Sequence, residues 1–107
     1  MGEVEENTLI NVMKGDPKSL LEAAKDAAEE SISKATQPKT AIIIDCISRI
    51  LYLNDQFKQE LENVSNSILD KHPDVSISGA LTLGEISSYG NGYIEFYNKT
   101  IVVGLFE

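Results

Sequence analysis

Cys46, Arg49, Glu85 and Gly84 are the residues whose types and spacing could do chemistry. Cys46 ends the apolar run in AIIIDCISR (41–49), and Arg49 follows three positions later. A thiol beside a guanidinium can be held as the thiolate and act as a nucleophile. The plainer reading is a small apolar residue closing a buried strand. No base partner is evident, because His72 is the only histidine. Arg49 falls just past the C-terminal end of that strand, the edge where open α/β sheets bind ligands. Its planar fork suits a carboxylate, with a salt bridge to Glu85 or Asp45 as the structural alternative. Glu85 lies between Gly84 and Ile86 in a stretch poor in charge. A carboxylate there needs a partner or its pKa rises. It could bind a ligand amine, act as a general base, or pair with Arg49. Gly84 would adopt positive φ in the turn that presents Glu85. Asp45 precedes Cys46 in the strand, so the two side chains face opposite ways.

Other candidates have plain readings. Tyr89, Tyr93 and Tyr97 could line a pocket or form cross-strand pairs on a half-exposed sheet. His72, before Pro73, suits a helix C-terminus, where it interacts with the helix dipole.

These residues need a framework. Thr8 to Met13 (TLINVM) reads as a first strand. Asp16-Pro17 marks a helix start: Asp accepts orphan backbone N–H groups, and Pro is tolerated at the first helical position. Leu21, Ala24, Ala28, Ile32 and Ala35 recur at helical spacing on one face. Gln37-Pro38 ends that helix. Ala41 to Cys46 is a near-continuous apolar strand, the pattern of a central strand covered on both faces. Ser48 to Leu53 reads as a connection. Asn54 or Asp55 can cap a second helix with Phe57, Leu61, Val64 and Ile68 as its buried stripe, closed by His72-Pro73. Val75, Ile77, Gly79 and Leu81 alternate as a strand. Tyr93 to Tyr97 and Thr100 to Phe106 form a hairpin around Asn98-Lys99. The order β-α-β-α-β-β-β implies an α/β (α+β) two-layer domain with a mixed sheet.

The 107 residues allow one domain. A hydrophobic content of 42% and a charged content of 24% are ordinary for a globular protein. The net charge of −8 argues against nucleic acid and against an anionic membrane surface as partners. A single cysteine excludes an internal disulfide and a cysteine-cluster metal site. No cofactor motif is present, the N-terminus shows no basic, apolar signal-peptide pattern, and a cytoplasmic setting is the default expectation.

The order and spacing of AIIIDCISR, GALTLGEI (79–86) and EFYNKTIVV (95–103) resemble the C-terminal part of the FIST sensory domain family. Cys46 and Arg49 match a strand-end Cys-x-x-Arg. Gly79, Gly84, Glu85 and Ile86 match a Gly followed by Gly-Glu-Ile. Phe96, Asn98 and Thr100 match a closing aromatic-Asn-Thr pattern. ENTLINVMKGDPKSLLEAA (6–24) resembles the strand and helix entry before that core. Ala80 and Leu83 stand where the family often has aromatics, which would open any pocket those aromatics line. The resemblance implies a non-enzymatic, small-molecule-sensing domain of a signal-transduction protein, with an amino acid as the expected ligand. Arg49, Glu85, Cys46 and Gly84 are then the ligand-binding candidates. FIST proteins carry an N-terminal FIST region before this part, so the chain is expected to be a fragment spanning residues 1–107 as a single domain. Its expected partners are that region, a signalling output protein and another copy of itself. The competing readings are an interaction or oligomerisation module and an enzyme using Cys46, Arg49 and Glu85.

Overall fold

The structure is a computed structural model that describes residues 3–12, 14–88 and 92–107. Helix α1 spans Pro17–Lys34, and β1, Thr40–Cys46, follows it. Helix α2, Ile47–Leu53, continues directly from β1; a short 3-10 turn, Asn54–Gln56, leads into α3, Phe57–Lys71. Four strands close the chain: β2 Ser76–Thr82, β3 Glu85–Ser87, β4 Glu95–Tyr97 and β5 Ile101–Phe106.

Helix α1 begins as its sequence dictates. Asp16 Oδ1 accepts the Ser19 backbone N–H at 3.0 Å, and Ser19 Oγ accepts the Asp16 N–H at 3.2 Å. This reciprocal cap satisfies two donors that the first turn leaves orphaned. At the other end of the fold, the Glu107 side chain accepts the Thr36 N–H at 2.8 Å and fastens the chain's last residue to the α1–β1 loop.

The main sheet has the order β2-β1-β5, with β1 parallel to β2 and antiparallel to β5. The fold is therefore α+β with a mixed sheet, as the sequence implies. Ala24 and Ala28 of α1, Val64 and Ile68 of α3, and Ala41 and Ile43 of β1 form the core, joined by Val75 and Ile101. The alanines let α1 lie close to its neighbours. Each large aliphatic side chain fully buried here contributes about 1.5–3 kcal/mol.

Several sequence expectations need correction. β1 is central, but its two faces are not equally covered: Ala41 and Ile43 are buried, whereas Ile42 between them is 38% exposed. Thr8 to Val12 forms no strand, and Leu9, Ile10 and Val12 are exposed; Met13, the last residue of that expected strand, lies outside the described residues. The segment has strand-like composition, but a strand exists only where a neighbour accepts its hydrogen bonds. Ser48 to Leu53 is helix α2 rather than a connection. The expected hairpin between Tyr93–Tyr97 and Thr100–Phe106 does not form. β4 pairs instead with β3 (Ile86 opposite Phe96), and β5 pairs with β1 (Ile43 opposite Val103). Burying Ile101 and packing Val103 and Leu105 against the core offers more than a lone two-stranded hairpin could.

Candidate functional site

Three charged side chains meet under the C-terminal end of β1. Period two along the strand places Asp45 on the same face as Ala41 and Ile43, toward the helices. Helix α2 starts at once and carries Arg49 inward on its first turn. Glu60 projects from α3 and is fully buried, while Asp45 and Arg49 are each 2% exposed. Arg49 Nε donates to Glu60 Oε1 at 3.1 Å, and Nη2 donates to Glu60 Oε2, a bidentate pair. Nη2 also donates to the Leu20 carbonyl at 2.8 Å, and Nη1 to the Lys99 carbonyl at 3.3 Å. One guanidinium thus ties α2 to α3, to the first turn of α1 and to the β4–β5 loop. That loop turns through Lys99 at φ 57°, and the Lys99 ammonium sits 4.4 Å from the centre of the Tyr52 ring, a cation–π contact.

Asp45 is left over in this arrangement. Its Oδ1 lies 3.5 Å from Arg49 Nε, but that N–H is directed at Glu60. Among the described residues no donor meets either Asp45 carboxyl oxygen in good hydrogen-bond geometry; the Glu60 carboxyl and the Cys46 backbone N–H are its near neighbours. Burial, and next the negative charge of Glu60, push its pKa from 3.8 up to about 7; Arg49 opposes them. Two carboxyl groups share one guanidinium, so with both ionised the cluster is short of one positive charge.

Asp45 also lines a groove of about 390 Å³ between α3 and β2. Ile43, Phe57, Leu61, Ile77 and Leu81 supply its apolar walls. Phe57 and Leu61 are the first half of the apolar stripe read for this helix. They are not sealed in the core, and Leu61 is 37% exposed. The groove opens at the C-terminal end of the parallel pair β1 and β2, the edge of an α/β sheet where ligands bind.

The sequence candidates fall in two places. Arg49 belongs to the buried cluster, where its hydrogen-bond partners are Glu60 and two carbonyls rather than Glu85. Asp45, named as a possible partner, is beside it. Glu85, 1% exposed, accepts the Thr82 hydroxyl at 2.6 Å through Oε1, and among the described residues its Oε2 has no hydrogen-bond partner. Gly84 does not take positive φ; a Cβ there would come within 2.5 Å of the Phe96 ring, so the missing side chain makes room for that ring. The Cys46 sulfur is buried and lies 3.0 Å from Ser48 Oγ. Tyr97 donates to Glu95 at 2.6 Å, Tyr93 is exposed, and Tyr89 lies outside the described residues. His72 caps the end of α3.

Glu60 is the functional-type residue that the sequence reading missed. A signal for it existed: 57, 60, 61, 64 and 68 fall on one helical face, and a carboxylate within such a stripe needs a buried partner. Among the described residues, no group of three or more His, Cys, Asp or Glu side chains is placed to hold a metal ion, and no helix is long and apolar enough to cross a membrane.

Fold and site define a two-layer α+β domain with a groove that ends on an unsatisfied buried carboxyl group. The family model of the FIST C domain matches residues 1–88, and the chain belongs to that family, which is associated with sensory signal-transduction proteins. The matched span includes Cys46, Arg49, Gly79 and Gly84-Glu85-Ile86; β4, β5 and the Phe96, Asn98 and Thr100 pattern lie beyond it. Comparisons with characterised proteins and with solved structures give no match.

Proposed function

We propose that this chain is a cytoplasmic small-molecule-sensing domain that binds its ligand in the α3–β2 groove without transforming it, and passes the event to a signalling output protein. The observation that carries this reading is the groove itself, apolar along its walls and ending on Asp45. Such a pocket, with few polar groups convergent on it, is the usual form of a small-molecule site. The absence of chemistry is supported by how the reactive candidates are engaged. The Cys46 sulfur is buried against Ser48, and the Arg49 fork is taken up by Glu60, so neither is presented to a substrate. A thermal-shift panel of amino acids, amines and small carboxylates tests the reading, because a ligand that binds only the folded form raises the melting temperature by mass action. Ser65→Phe, which fills the groove, is expected to abolish every such shift; shifts that survive it would place the site elsewhere.

A second reading, a docking module, has its own observation. β2 is an edge strand, and Leu9, Ile10 and Val12 are exposed to 100%, 62% and 90% in a segment without regular secondary structure. Apolar side chains so displayed fit the N-terminal FIST region of family proteins as partner. Binding of that region, made as a separate polypeptide, is expected to weaken in Ile10→Asp and Val12→Asp; unchanged binding would remove this reading.

A further inference from the structure

Resting on the groove as the ligand site, the charge balance at its end selects the ligand class. We infer that the groove takes a protonated amine on a compact apolar body, its ammonium seated between the two carboxyl oxygens of Asp45.

Three observations converge. The first is that Asp45 is almost wholly buried, lines the groove, and has two acceptor atoms that no donor of the described residues meets in good hydrogen-bond geometry. An ammonium brings three N–H donors and no acceptor, which is what those atoms lack. The second is charge. The groups facing Asp45 are Glu60 from α3 and Arg49 from α2, while its strand neighbours in register are Leu81 and Ile101. Four of the five guanidinium N–H groups are committed to Glu60, Leu20 and Lys99. One added positive charge balances two carboxylates and one guanidinium, and a buried charge is tolerated when it is paired and hydrogen-bonded. The third is the walls. Phe57, Leu61, Ile77 and Leu81 offer a hydrocarbon surface that suits a branched alkyl or aromatic body. A carboxylate ligand would bring a further negative charge toward Asp45, and Arg49 is not among the residues that line the groove. A zwitterionic amino acid gains at its amine and loses at its carboxylate.

The same geometry couples binding to protonation. Asp45, with its pKa raised to about 7, must ionise to hold the ammonium. An alkylammonium, with a lysine-like pKa of about 10.4, stays charged throughout. Binding therefore strengthens as pH rises, by about 30-fold between pH ~5.5 and ~8.5, and releases a proton.

The test is calorimetric titration of the full chain with isoamylamine, isovalerate, isoamyl alcohol and free leucine, at several pH values and in buffers of different ionisation enthalpy. The expected result is that isoamylamine binds more tightly than the three analogues of similar body, gains affinity with pH and releases a proton. Asp45→Asn, confirmed folded by circular dichroism, is expected to lose the preference for the amine, and Ser65→Phe to lose binding altogether. Preferential binding of isovalerate or leucine, or amine binding unchanged in Asp45→Asn, overturns the amine assignment and leaves the sensing reading standing. Failure of all four compounds, with the protein folded, overturns the amine assignment, and the sensing reading falls with it only when the wider thermal-shift panel is also silent.

Discussion

Replacing Arg49 by methionine separates a structural guanidinium from a ligand-gripping one. The substitution keeps much of the side-chain volume and removes the charge and every donor. Asp45 and Glu60 are then left buried as like charges, and the carbonyls of Leu20 and Lys99 lose their Arg49 donors. Breaking a buried ion pair from one side costs about 3–5 kcal/mol, because the surviving charge has no compensation. Domains of this size have about 5–15 kcal/mol in total, so the variant sits near the edge of folding. With about 4–8 °C per kcal/mol, the melting midpoint falls by at least ~12 °C. Urea unfolding followed by far-ultraviolet circular dichroism at neutral pH measures the loss, with an unchanged dependence on urea marking an unchanged unfolded state. Two controls sharpen it. The loss shrinks in mild acid, where Asp45, its pKa raised to about 7, holds its proton. Adding Glu60→Gln to Arg49→Met recovers part of it, giving a coupling of at least ~0.5 kcal/mol in a double-mutant cycle. A loss below about 1 kcal/mol, the worth of an exposed ion pair, would refute the reasoning and return Arg49 to the role of a free ligand anchor.

Asp45 sets a pH dependence of opposite sign to that of an ordinary paired carboxylate. Its pKa rises from 3.8 to about 7 on folding, so between those values the native state holds a proton that the unfolded chain has released. Stability is complete below the lower value and declines as pH rises through the upper one, by on the order of 4 kcal/mol. Asp45→Asn is expected to flatten this slope and to be the more stable protein above neutrality; a wild-type stability that rises with pH across the same window would contradict it. Gly84→Ala places a Cβ 2.5 Å from the Phe96 ring, and overpacking of this kind costs about 1–3 kcal/mol, measured by the same urea unfolding. An unchanged midpoint would mean that Phe96 does not cover this turn.

Much of the framework was legible because it is written in local signals. Asp16-Pro17 fixes the start of α1 through a cap that involves only residues 16–19, and the apolar run 41–46 announces the central strand. What was hidden depends on partners distant in sequence. Helix α2 has seven residues and follows β1 with no capping side chain, so nothing punctuates its start. β4 and β5 are separated by three residues, which reads as a hairpin; their partners are strands that sequence spacing alone does not select. Thr8 to Val12 has the composition of a strand, but none of the described strands pairs with it. At the site, Arg49 and Asp45 were both visible, but the choice of Glu60 over Glu85 as the partner of Arg49 is decided by α3, eleven residues further on, once it packs across α2. The apolar stripe of α3 was read correctly in period, yet its Phe57 end faces a groove because β2 is the last strand on that side of the sheet.

The most direct test of the account is a two-dimensional NMR titration of the full chain with a small-molecule library containing amines, carboxylates, amino acids and neutral compounds. Residues on both walls of the groove, Ile43 and Ile77 in the sheet and Phe57 and Leu61 in α3, are expected to shift together on addition of a binder, with Asp45 among them. Shifts confined to another face, or none with any class of compound, would contradict a sensing site at this end of the sheet.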